Sequence, residues 1–245
     1  MATRKKNIDM EMSFYEHLDE LRKRLIIIAI IIFIAAVACF TFIDNIIFFL
    51  TSKAENLDLI YTTPAEAFMS QIRLSILSGT LLTLPFTLYQ VLAFIMPALR
   101  KKEKKAAILL LFFMVVLFYT GLLFAYFVVF PYALYFFLGF STEGLLPLFT
   151  ISSYISFIAS FLIGFGLVFQ VPLIFWFLGR LSIISSSFLR TNRKYALLII
   201  AIISSVITPP DVFSMLLMMG PLLLLYEIGI LLVRLTERRR PRYED

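Results

Sequence analysis

The chain has 245 residues, of which 61% are apolar and 16% charged, with a net charge of +6; soluble domains carry roughly 45–50% apolar and about 25% charged residues. A soluble core of this size cannot hide that much apolar surface, which excludes a soluble enzyme or binding module and leaves a polytopic membrane protein. Cys39 and His17, the sole residues of their types, exclude an internal disulfide and a His-rich metal site.

In chain order, residues 1–24 come first, and they are charged. Phe14, Leu18, Leu21 and Leu25 recur at helical spacing, and Asp19–Lys23 and Glu20–Arg24 are i,i+4 pairs in the favourable order. This pattern predicts a cytoplasmic amphipathic segment lying at the membrane surface. Its acids, Asp9, Glu11, Glu16, Asp19 and Glu20, set it apart from the basic start of a cleaved signal peptide, although Ala36-Val37-Ala38-Cys39 loosely resembles a cleavage site.

A transmembrane helix needs roughly 20 mostly apolar residues. Runs of that kind predict spans at about 25–43, 68–97, 106–130, 154–178, 195–208 and 212–233. The two outer loops between them, 44–67 and 131–153, are rich in apolar residues and are expected to fold back as short interfacial helices. Pro209-Pro210-Asp211 separates the last two spans, because successive prolines remove backbone donors and push the preceding residue out of helical geometry. The fifth and sixth spans are thereby short, the fifth at about 14 residues. Pro85, Pro172 and Pro221 are expected to kink the second, fourth and sixth. The expected fold is all-α: one integral membrane domain over 1–245, six transmembrane helices in a kinked, concave bundle, and a cytoplasmic tail at 234–245.

Charge distribution fixes the expected topology. Of 22 Lys and Arg, all but Lys53 and Arg73 fall on one side of this arrangement. Cytoplasmic segments are enriched in these residues, so both termini should face the cytoplasm, in a multi-pass protein of the cell membrane.

Enzyme motifs are absent: no HExxH, no GxSxG, no Walker lysine loop and no pair of intramembrane aspartates. The reading is therefore not an enzyme, with no cofactor and no metal, whose work draws on a partner or on the membrane potential and proton gradient. Polar groups inside the spans are few. Glu227 lies about 7 Å from the centre of the sixth span and should face the bundle; it is either a functional carboxylate or a protonated one bonded to a neighbouring Tyr or Ser. Gln170, in the fourth span, suits an amide that glues helices together, and it could satisfy the carbonyl freed by Pro172. Glu103, the single acid in Arg100-Lys101-Lys102-Glu103-Lys104-Lys105, is either incidental to a topology signal or functional.

Four segments, in order along the chain, resemble the TatC family, the multispanning subunit of the twin-arginine protein translocase. They are His17-Leu18-Asp19-Glu20-Leu21-Arg22-Lys23-Arg24, Tyr89-Gln90-Val91-Leu92-Ala93-Phe94-Ile95-Met96-Pro97-Ala98-Leu99, Phe124-Ala125-Tyr126-Phe127-Val128-Val129-Phe130-Pro131 and Thr208-Pro209-Pro210-Asp211-Val212-Phe213-Ser214. The resemblance implies a membrane receptor for twin-arginine signal peptides of folded precursors. It would be powered by the proton motive force and act with single-span TatA-type or TatB-type subunits in a self-assembled complex, and it implies no nucleic-acid partner. Carried over residue by residue, it makes Glu20 and Glu103, with Arg22, the signal-peptide site, because carboxylates hold guanidinium groups by charge-assisted hydrogen bonds. Phe94, Tyr126 and Asp211 become structural or path-lining residues. Gln170 and Glu227 remain intramembrane candidates for contact with a partner helix. Two positions depart from the family: Gln170 stands where many members carry a glutamate, so no proton step is expected there, and Leu50-Thr51-Ser52-Lys53 lacks an expected proline. The alternative is a small proton- or ion-coupled secondary transporter using Glu227, which would call for repeated halves that the sequence does not display.

Overall fold

No helix breaker interrupts the charged start and the first apolar run, and the two form one helix, α1 (Ala2–Thr41). The expected surface segment is thus continuous with the first span. The computed structural model describes residues 2–52, 59–96, 101–139, 148–208 and 210–238, with the side chains of 2–14, 101–103 and 105 outside the description. After α1 come α2 (Ile43–Thr51), β1 (Leu59–Ile60), α3 (Pro64–Ile95), α4 (Lys101–Phe124), a π-helical turn (Ala125–Val129), α5 (Phe130–Leu138), β2 (Phe149–Thr150), α6 (Ile151–Val168), α7 (Val171–Arg180), α8 (Ser186–Thr191), α9 (Arg193–Ile207) and α10 (Val212–Arg238). Among the described residues, five stretches are long and apolar enough to cross a bilayer: Tyr15–Thr41, Pro64–Ile95, Ala106–Leu138, Ile151–Arg180 and Val212–Glu237. Helix α9, at 15 residues, is not among them, so five such stretches stand where six spans were expected. The protein is a nearly all-helical multi-pass membrane protein.

The chain divides into two units, Met1–Ile47 with Gln71–Leu111 and Phe48–Ser70 with Phe112–Asp245. In the first, α1 meets α3 backbone to backbone. A Cβ added at Gly79 would stand 2.6 Å from the Ala36 nitrogen and 2.8 Å from its Cα. Small residues at such crossings let helices approach closely where no hydrophobic drive between them exists in lipid. Thr80, Thr83 and Thr87 return their hydroxyls to carbonyls of the preceding turn in α3, and Pro85 lies inside that helix without ending it.

In the second unit, the expectation that the third span stops at Phe130 is corrected: the helical rod continues to Leu138. Pro131 stands in the first turn of α5, where its missing N–H is tolerated. The π turn before it widens the helix, with the Phe130 N–H donating to Ala125 O, and so relieves the clash a proline makes with the carbonyl of the preceding turn. Of the outer loops, the first contains a short helix, α2, ahead of β1. Two-residue strands β1 and β2 pair in parallel, Leu59 opposite Phe149 and Ile60 opposite Thr150.

The fourth span breaks at Phe169–Gln170 into α6 and α7, with Pro172 in the first turn of α7. Thr150 caps α6 by accepting from the Ser153 N–H at 3.2 Å. Helix α9 stops at Ile207, ahead of the proline pair as expected, and Asp211 Oδ1 accepts the Ser214 N–H at 2.7 Å to start α10. The sixth helix is not short, however, because no breaker stands between its apolar run and Arg238, and it extends for 27 residues. Packed on α7 and α9, α10 also holds the loop before α9. The Tyr226 hydroxyl donates to Leu189 O at 2.7 Å, and the Glu237 carboxylate accepts both the N–H and the hydroxyl of Ser186 at the start of α8.

Candidate functional site

Near the C-terminal end of α3, within the first unit, charged and aromatic side chains of α1 come together. The i,i+4 pair read from the sequence forms: Arg24 Nε and Nη2 both donate to Glu20 Oε1, at 3.0 and 2.6 Å. The third donor, Nη1, reaches Gln90 Oε1 of α3 at 2.8 Å. One turn earlier, His17 stacks on Phe94 of α3, ring centroids 4.2 Å apart and planes 14° from parallel. His17 Nδ1 stands 3.9 Å from Glu20 Oε2. Asp19 pairs with Lys23 at 2.7 Å on the outer face, and Arg22 is exposed.

Glu20 and Phe94, chosen from the sequence, therefore share one cluster. Gln90 and His17 complete it, although sequence reasoning gave neither a role. A buried amide in an apolar helix was the available signal for Gln90, which is 8% exposed. Glu103 belongs to α4, and its side chain lies outside the described residues.

The other candidates fall in the second unit and are separate from that cluster's chemistry. Tyr126, in the π turn, stacks on Phe49 at 4.8 Å and donates its hydroxyl to Phe49 O at 2.6 Å. Tyr154 donates to Leu50 O at 2.7 Å. The two tyrosines thus serve the last carbonyls of α2, which have no partner within their own helix. Besides capping α10, Asp211 borders a cavity of about 280 Å³ walled by apolar residues such as Leu134, Phe149 and Phe157. Its Oδ2 is buried and accepts no hydrogen bond among the described residues.

Gln170 behaves as helix glue. It is 5% exposed, and its Nε2 donates to Met114 O of α4 at 3.2 Å and to Gly166 O at 3.3 Å. The carbonyl it satisfies differs from the one Pro172 was expected to free. Gln170 N bonds Leu167 O, a tightened turn that leaves Gly166 O open for the side chain.

Glu227 is corrected. It does not face the bundle: its side chain is 53% exposed and accepts from Arg193 Nη2 at 2.8 Å. Arg193 is the first residue of α9, so the pair ties the start of α9 to α10. Glu227→Gln is expected to leave export of a precursor protein within about twofold of the unaltered chain, because exposed ion pairs contribute only about 0–1 kcal/mol. Loss of export in that variant, with normal protein levels, would restore a titrating role.

Comparison with known proteins follows the same order of elements. The chain matches the family model described as Sec-independent protein translocase protein (TatC) over residues 16–221. It is 40% identical over 229 residues to the Sec-independent protein translocase protein TatC of Carboxydothermus hydrogenoformans, covering 92% of this chain and 94% of that one. It is 37% identical over 235 residues to the TatCy protein of Bacillus subtilis, covering 94% and 91%. A crystal structure described as the twin-arginine translocase receptor TatC superimposes with a TM-score of 0.82 at 38% identity, over 91% of this chain and all of that one.

Proposed function

The chain belongs to the TatC family, and on that premise we propose that it is the receptor of a twin-arginine translocase, with Glu20 and Glu103 taking the paired arginines of a signal peptide. One observation carries the reading: the Glu20 carboxylate already holds a guanidinium, that of Arg24, through two N–H donors. The chemistry that grips an arginine from within the chain is the chemistry needed for one arriving from outside. Arg22, exposed beside it, belongs to the rim of the same site.

Both termini face the cytoplasm in this reading, supported by the distribution of Lys and Arg. Bound precursor is then passed on in a complex with single-span TatA-type or TatB-type subunits and further copies of this chain. The proton motive force drives transport, since the sequence offers no phosphate-binding loop. Chemistry on substrate is no part of this function, and Gln170 contributes a polar contact without a titrating step.

Site-specific cross-linking of a twin-arginine precursor tests the reading. Glu20→Ala and Glu103→Ala are each expected to lose most of the cross-link while the protein remains inserted at normal levels. Undiminished cross-linking in both variants would overturn the assignment.

A further inference from the structure

Glu20 is held asymmetrically. Both short donations from Arg24 go to Oε1, and the remaining end of that guanidinium is fixed by Gln90 Oε1 at 2.8 Å. Among the described residues Oε2 accepts no hydrogen bond; His17 Nδ1, at 3.9 Å, is beyond hydrogen-bond reach. The imidazole cannot swing toward it without leaving the face of Phe94. The His17 side chain is 45% exposed, and among the described residues Phe94 is the ring stacked on it.

We propose that Glu20 Oε2 and the face of His17 away from Phe94 form a seat for one guanidinium of the signal peptide, with Arg24 and Gln90 as the positioning pair that keeps Oε2 unoccupied and fixed in direction. The proposal rests on the reading of Glu20 as a signal-peptide ligand and says how that ligand selects arginine. A single carboxylate oxygen takes an ammonium about as well as a guanidinium. Selection comes from the ring, because a planar, weakly hydrated guanidinium can stack on an aromatic face while donating in its own plane, and a compact, strongly hydrated ammonium gains much less. Phe94 holds His17 in place from behind.

The test uses the full chain, purified in detergent and titrated with a synthetic signal peptide carrying two arginines and with its twin-lysine counterpart. Both peptides are read on the same preparation, so their affinity ratio is independent of the fraction folded. His17→Ala is expected to reduce the arginine-to-lysine ratio by about tenfold, and His17→Phe to restore most of it. Arg24→Lys keeps the charge but loses the planar fork that fixes Oε1 and Gln90 in two set directions; the ratio should fall by a similar factor, as it should in Gln90→Leu. A ratio equal to that of the unaltered chain in both His17→Ala and Arg24→Lys would overturn the seat. Tighter binding of the twin-arginine peptide by Arg24→Ala would do the same, since it would make Arg24 a competitor. Glu20→Ala separates the two levels of argument: if it binds the twin-arginine peptide normally, the receptor reading of this residue fails, whereas lost binding there with unaltered ratios elsewhere overturns the seat alone.

Discussion

Adding one methyl group at Gly121 is expected to lower the stability of the protein by about 1–3 kcal/mol. That corresponds to a drop of about 3–10 °C in the midpoint followed by size-exclusion chromatography after heating. A Cβ at Gly121 would stand 2.7 Å from Phe165 O and 3.1 Å from Phe165 C. Those atoms are backbone of α6, so only separation of α4 from α6 can relieve the overlap. The same crossing carries a second close approach of opposite kind: a Cβ at Gly166 meets the Phe118 ring, 2.4 Å from Cε2, and a ring can be trimmed. Gly166→Ala should therefore be rescued in part by Phe118→Leu, and Gly121→Ala by no change of side chain. Separation of the helices would also pull Gln170 Nε2 from Met114 O, now 3.2 Å away, leaving this buried amide with Gly166 O as its one acceptor among the described residues. An unchanged midpoint in Gly121→Ala would mean that α4 and α6 are less closely packed than this crossing.

Features set by neighbours in sequence were legible before the fold was known. The Glu20–Arg24 pair follows from a spacing of four on a helix, and the turn at Pro209-Pro210-Asp211 from the loss of two donors. Pro131 shows the limit of the same logic. As a breaker it ended the predicted third span at Phe130, but a π turn five residues long lets the helix pass, and no local pattern announces such a turn. The facing of Glu227 was harder still. It was expected to point into the bundle because only its own span was read; its partner is Arg193, the first residue of a 15-residue helix, and that pairing is tertiary.

The candidate site divides in the same way. Glu20, Arg22 and Phe94 were named from motif resemblance, yet the resemblance assigned no contact between α1 and α3. Gln90 reaches Arg24 across a separation of 66 residues, and the stack of His17 on Phe94 is comparably distant in sequence. Such contacts depend on the register of α3 against α1, which the close approach of Gly79 to Ala36 fixes and which an alternation of apolar residues does not specify. Resemblance also grouped Tyr126 with the site residues, although its hydroxyl is engaged with the end of α2.

Tyr154→Phe is expected to destabilise the protein more than Tyr126→Phe does, and the reason is the number of partners each carbonyl keeps. Both tyrosines are nearly inaccessible, at 2% and 4% exposure. Leu50 O receives the Tyr154 hydroxyl at 2.7 Å, and no other donor to it stands among the described residues. Removing that hydroxyl leaves a carbonyl without a partner among the described residues, at a cost of about 1–3 kcal/mol. Phe49 O receives two hydroxyls, Tyr126 at 2.6 Å and Ser52 at 2.7 Å. Its loss of one is milder, about 0.5–1.5 kcal/mol, and Ser52→Ala combined with Tyr126→Phe should cost more than the two single changes added together. Hydrogen exchange in the last turn of α2 provides the local reading: faster exchange there in Tyr154→Phe, with α9 and α10 unchanged, ties the loss to the helix end. If Tyr126→Phe proved the more damaging change, its role would have to lie in the stack on Phe49 or in the π turn that carries it, rather than in the carbonyl it serves.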